Sequence, residues 1–232
     1  LKPKKSYLSD LNRELVETYQ QIRDNVENVI QELGMFENSK ECYYKIRETI
    51  YSTPASRAAR FIYLNQTSFN GIYRVNLKGV YNVPYGYRSK DFCDAKLLRH
   101  ASKVLQDTSL SHGDFYESVN NIKKNDLVFL DPPYTVTHNN NGFIKYNKNL
   151  FDLESQIRLS NYLDEINEIG ASYILTNAAH QDIVEIFKKN HNTINTLDRV
   201  SLVGGKNAQR GKYAELIITN ITLPYSYGEN MN

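Results

Sequence analysis

The run Val128-Phe129-Leu130 stops at Asp131-Pro132-Pro133, and that junction restricts the possible folds more than any other stretch of the chain. A short apolar run bounded by a turn signal reads as a strand. Two consecutive prolines hold φ fixed and cannot donate to a sheet ladder, so the strand ends there. A carboxylate is thereby delivered to the carboxyl end of a sheet, where open α/β folds bind ligands. Asp131 and the outward carbonyl of Pro132 can together accept both hydrogens of an exocyclic amine. The ring of Tyr134 can stack on the base that carries it. The plainer alternative is a proline-stiffened turn with Tyr134 as packing.

Around this junction, short strands alternate with amphipathic helices. Ser6–Asp10 is β-like and ends in an acid. Leu15, Tyr19, Ile22, Val26, Val29, Ile30 and Leu33 follow at helical spacing, and Gly34 stops them. A second helix runs through Cys42 and Ile46, a third covers about 56–65, and a basic helix spans Ala95–Leu105. Between Thr67 and Arg88 periodicity is lost to Asn-Gly, Lys-Gly, Val-Pro and Tyr-Gly pieces, as in hairpins and loops. Strands are expected again at Ser109–Asp114, Asp126–Leu130, Tyr173–Asn177 and Glu215–Asn220, with helices at Ser155–Ile169 and Gln181–Lys189. The order predicts an α/β fold with a doubly wound, mostly parallel sheet. Its expected parts are 1–54 (start of a catalytic domain), 55–105 (an inserted helical and hairpin recognition domain) and 106–232 (the rest of the catalytic domain).

Charge marks the insertion. Residues 1–55 carry 8 Lys/Arg and 9 Asp/Glu; residues 56–103 carry 9 against only Asp91 and Asp94; residues 104–232 carry 11 against 15. A basic centre between acidic flanks predicts a phosphate-facing surface. Phe61, Tyr63, Asn65, Gln66, Phe69, Asn70, Tyr73, Asn76, Tyr81, Asn82, Tyr85 and Tyr87 would add stacking faces and base-edge hydrogen bonds. Cys42 and Cys93 alone supply no disulfide or metal framework, and the five histidines are scattered. No metal is expected. No apolar run is long enough for a membrane span and no secretory leader is visible, so a reducing cytoplasm is the expected location.

Six motifs in series carry a resemblance: Ser9-Asp10-Leu11-Asn12, Tyr43-Tyr44-Lys45-Ile46-Arg47, Phe69-Asn70-Gly71-Ile72-Tyr73-Arg74-Val75-Asn76, Asn82-Val83-Pro84-Tyr85-Gly86, Gly113-Asp114-Phe115 and Asp131-Pro132-Pro133-Tyr134. Together they make the chain similar to the adenine-N6 DNA methyltransferases of the Dam (D12) family over nearly its whole length. The resemblance implies site-specific methylation of double-stranded DNA with S-adenosylmethionine after base flipping, as a restriction-system partner or a stand-alone enzyme. It implies that Asp10 binds the cofactor ribose, although a helix N-cap is the other reading of that residue. Asp114 would contact the cofactor adenine with Phe115 as a wall, and Asp131 would also border the cofactor. Asp131, Pro132, Pro133 and Tyr134 would hold the flipped adenine. Phe69, Asn70, Arg74, Pro84 and Arg88 would contact DNA in the recognition hairpin. Lys206, Arg210 and Lys212 are read as a phosphate clamp on a loop near the end.

Two features depart from the family pattern. Its Lys-bearing segment and Phe-x-Gly-x-Gly loop have no counterpart ahead of Ser6–Asp10. The expectation is that residues 1–232 alone bind S-adenosylmethionine poorly, and that an upstream extension of about 30–50 residues restores binding and methylation. Asn177-Ala178-Ala179-His180 also replaces the usual Ser-Asn pattern. Methylation of cytosine N4 or of RNA, and an inactive DNA-binding remnant, are the competing readings.

Overall fold

The computed structural model describes residues 3–76, 78–133, 151–200 and 212–222. They fall into two compact units, Leu1–Phe115 and Tyr116–Asn232.

In the first unit, β1 (Ser6–Asp10) and β2 (Thr108–His112) pair in parallel, from Ser6 opposite Thr108 to Asp10 opposite His112. Between them come α1 (Arg13–Leu33), α2 (Lys40–Glu48), α3 (Pro54–Thr67), a 3-10 turn (Phe69–Gly71) and α4 (Ala95–Leu105). Each α-helix starts where a short polar side chain accepts a first-turn N–H: Asn12, Ser39, Thr53 and Asp94. Such caps satisfy donors that a helix start leaves orphaned. Leaving helical geometry at Asn25, α1 does two jobs. Before the break, Gln20 and Arg23 donate to the β2 carbonyls of Leu110 (3.1 Å) and Thr108 (2.7 Å). Beyond it, Val29 and Leu33 enter a core with Tyr43, Ile46, Ala58, Ala59, Tyr63, Leu64, Tyr81, Val83 and Tyr85. One apolar core therefore takes side chains from both sides of residue 54.

The second unit holds β3 (Leu127–Leu130), α5 (Leu153–Ile169), β4 (Ser172–Ala178), α6 (Gln181–Phe187), β5 (Thr193–Val200) and β6 (Lys212–Thr219). Its strand order is β3-β4-β6-β5. Tyr162, Leu163, Ile166, Tyr173, Leu175, Ile183 and Phe187 form its buried interior. The α/β class is as expected. Parallel pairing holds for β1–β2 and β3–β4, whereas β6 runs antiparallel to both β4 and β5. β5 and β6 are consecutive along the chain, and an antiparallel pair of consecutive strands needs no crossover helix. β5 was not expected from the sequence, and β2 ends at His112, short of Asp114. No described helix is long and apolar enough to cross a membrane.

Candidate active site and nucleic-acid interface

Two acids stand at neighbouring strand ends in the first unit. Asp10 is the last residue of β1, and Asp114 follows β2 by two residues. Because the strands run parallel, both lie at the carboxyl edge, the ligand-binding edge of open α/β sheets. The cap reading of Asp10 fails: Asn12 caps α1, accepting from the Leu15 N–H. The exposed Asp10 carboxylate is instead steadied by the Asn12 N–H at 2.6 Å. Its own carbonyl accepts from the Gly113 N–H at 3.2 Å, joining the two strand ends. Asp114 and Phe115 are half-buried.

The expected recognition hairpin is fastened along its length. Val75 bridges Tyr81, and Ser68 bridges Tyr85, both antiparallel. The Phe69 N–H donates to the Pro84 carbonyl, and the Gly86 N–H donates to Thr67, each at 2.9 Å. A Cβ on Gly86 would lie 2.3 Å from the Ser68 carbonyl oxygen, so only glycine permits this approach. Asn70 and Gly71 turn the chain with φ of 56° and 65°, and asparagine tolerates that left-handed region better than most residues. Phe69 (53% exposed) and Pro84 are left outside. The exposed Arg74 donates through Nε to the Asn82 side chain at 2.9 Å. Its guanidinium is thus aimed before any ligand arrives. Arg88, expected in the same groove, is half-buried, its Nη1 donates to the Gln66 carbonyl at 3.3 Å and it packs against Gly71.

The aromatic residues divide. Tyr63, Tyr81 and Tyr85, read as stacking faces, belong to the core. Tyr81 and Tyr63 donate to the carbonyls of Ile72 (3.0 Å) and Glu37 (2.7 Å), and Tyr85 donates to the Asn38 side chain (2.8 Å). A buried phenol needs such a partner. Tyr87 stays outward, 72% exposed and with φ of 51°. The basic excess divides similarly. Arg57 forks onto Glu17 (2.5 and 2.9 Å) and Arg99 onto Glu27 (2.7 and 2.8 Å), so acids of α1 neutralise part of it. Arg60 donates to the carbonyls that end α2, at Ile46 and Arg47. Lys78, Lys90, Lys96 and Lys103 remain exposed.

In the second unit, Asp131 follows β3 directly, exposed, with Pro132 half-buried and Pro133 exposed. The Thr176 hydroxyl on β4 donates to Asp131 Oδ1 at 2.6 Å. Nothing in the sequence flags Thr176, since threonine in an apolar run reads as an ordinary strand residue. Asn177, next along β4, is fully buried and donates to the equally buried Gln156 of α5 at 2.8 Å. Tyr134, Lys206 and Arg210 lie outside the described residues, as does the side chain of Lys212, whose backbone opens β6.

Comparison with known proteins covers most of the chain. The family model of the D12 class N6 adenine-specific DNA methyltransferase matches residues 1–202. A Type II methyltransferase, M1.LlaDCHI of Lactococcus lactis subsp. cremoris, is 33% identical over 231 residues, covering 95% of this chain and 81% of that protein. The Type II methyltransferase M.MjaIII of Methanocaldococcus jannaschii is 34% identical over 194 residues, 77% of this chain and 67% of its own length. The DNA adenine methylase of Escherichia coli K12 is 31% identical over 176 residues, 73% of this chain and 63% of that enzyme.

Proposed function

The chain belongs to the D12 class of N6 adenine-specific DNA methyltransferases, and from that premise we propose which of its residues do the work. The reaction is methylation of adenine at N6 in DNA. The Rossmann-like, doubly wound arrangement of the family is part of the same proposal.

S-adenosylmethionine is the methyl donor this family generally uses, and the two acids at the β1 and β2 ends fit its ribose and adenine. Asp10, released from capping and facing outward, would take the ribose hydroxyls. Asp114 would take the adenine amine, with Phe115 closing one side. When bound, the cofactor supplies an electrophilic methyl group. Asp131 and the Pro132 carbonyl then accept the two N6 hydrogens of the target adenine, which concentrates the nitrogen lone pair for attack. Preorganised acceptors of this kind stabilise charge as it develops in the transition state. Pro133 keeps the turn rigid and Tyr134 stacks on the base. Because N6 cannot be reached inside a duplex, the substrate is double-stranded DNA with its adenine flipped out.

Phe69 enters the stack where the base leaves, Arg74 reads a base edge, and Asn70 and Pro84 line the same groove. Arg88, packed against that turn, borders the same groove, while Lys206, Arg210 and Lys212 contact phosphates. The recognition module is drawn within 55–105, with its core completed by α1 and α2. The named relatives make a Type II modification enzyme the favoured biological setting.

The observation that carries the proposal is Asp131, exposed at the end of β3 with its carboxylate fixed by Thr176. Asp131→Ala is expected to slow methyl transfer by about 100-fold or more while DNA affinity stays near wild type. Radiolabelled methyl transfer and a binding titration check this, and near-normal turnover would overturn it.

A further inference from the structure

We propose that Thr176 is a positioning residue for the reaction, holding the Asp131 carboxylate in the orientation that receives the substrate amine. The inference rests on the role given to Asp131 above. The Thr176 hydroxyl carries one proton and has two acceptors within reach, Asp131 Oδ1 at 2.6 Å and the Leu130 carbonyl at 3.4 Å. The shorter contact, to a charged acceptor, takes the proton.

The two partners differ in how firmly they are held. Thr176 lies on β4 between two neighbours: β3 runs parallel with Leu130 opposite Leu175, and β6 runs antiparallel with Ile217 opposite Thr176. Its β-branched side chain is stiff at χ1, and the buried Asn177–Gln156 bond secures the next residue to α5. Asp131 lies one residue past the end of β3 and is exposed. Without a partner its carboxylate would turn between rotamers, and only some of them face an incoming base. One hydroxyl occupies one of the roughly four lone-pair sites of a carboxylate, so an acceptor remains for the amine. Thr176 touches no reacting atom and acts through Asp131.

The experiment compares Thr176→Val, which keeps the shape and loses the hydroxyl, with Thr176→Ser, which keeps the hydroxyl. Single-turnover rate, KM for DNA and for S-adenosylmethionine, and melting temperature are measured on each in the full-length, methylating protein. Thr176→Val is expected to lose about 10- to 100-fold in rate, the usual cost of misplacing a catalytic group, with both KM values within about 3-fold and an unchanged melting temperature. Thr176→Ser is expected to recover to within about 3-fold of wild type. Thr176→Ala serves as a second hydroxyl-free variant should valine disturb the strand. A wild-type rate in the hydroxyl-free variants, or a serine variant as slow as they are, overturns the inference. Asp131→Ala run alongside separates the two ideas, because near-normal turnover there removes the role of Asp131 itself.

Discussion

In the tyrosine core of the first unit the buried phenols are tied down by hydrogen bonds, whereas Asp10 and Asp131, at the ends of β1 and β3, each take a single one. Tyr43 donates to the Val83 carbonyl at 2.8 Å, and Tyr63 donates to Glu37 from within the same core. Burial pushes the phenols of Tyr43 and Tyr63 well above their usual pKa, so they stay protonated donors. Asp10, by contrast, is steadied by one backbone N–H and Asp131 by one hydroxyl, both in the open. The difference suits the roles proposed for the two regions. A surface that reads DNA gains from being stiff before contact, because ordering it on binding would cost affinity. A carboxylate that receives an amine must stay unburied and incompletely satisfied.

The comparison breaks first if the tyrosine core is not the foundation of the module. Tyr43→Ala removes a side chain with no exposed surface and is expected to destabilise the first unit by about 3–5 kcal/mol, the range for losing a buried aromatic ring. Denaturant titration checks it, and a loss under about 1 kcal/mol would show that the module stands on other contacts.

Gly86→Ala tests the fastening of the hairpin. A methyl group 2.3 Å from the Ser68 carbonyl must push backbone aside at a cost of about 1–3 kcal/mol. DNA affinity should fall about 10-fold or more, because the strap that sets Phe69 beside Pro84 is displaced. Affinity equal to wild type in a gel-shift titration would mean that this strap does not position the reading surface.

Arg74→Ala sharpens the comparison from the reading side. Loss of the base contact proposed for Arg74 should relax discrimination at one base pair by about 1–3 kcal/mol, seen against a panel of single-base variants. A uniform loss across the panel would reduce Arg74 to a phosphate contact.

The smallest effect concerns the Glu17–Arg57 pair, which joins α1 to α3. The Arg57 hydrogen bond holds the Glu17 carboxyl below its ordinary value of 4.5. A lowered folded pKa adds stability that is present above the unfolded value and is lost as pH falls through the folded one. Both side chains are partly exposed, so Glu17→Gln should cost no more than about 1 kcal/mol at neutral pH. Thermal melts below pH 4.5 should show wild type and variant converging.

Much of this protein is written locally, and there the sequence suffices. The stripe through Ile22, Val29 and Leu33 and the stop at Gly34 specify α1, because helical spacing and termination involve only near neighbours. Asp94 and the apolar pattern behind it specify Ala95–Leu105. The prolines after Asp131 end β3 whatever surrounds them. Tertiary structure decided the rest. Ile194, Leu197 and Val200 recur every three residues, a pattern closer to a helix than a strand, and pairing with β6 makes that segment β5. Tyr63, Tyr81 and Tyr85 have the composition of a base-stacking surface, yet the core claims them because their hydroxyls find hydrogen-bond partners there. Arg57 and Arg99 look free in a carboxylate-poor segment until α1 brings Glu17 and Glu27 alongside. Thr176 meets Asp131 only because β3 and β4 pair in one register. Contacts between residues distant in the chain depend on strand register and helix packing, which no local pattern encodes.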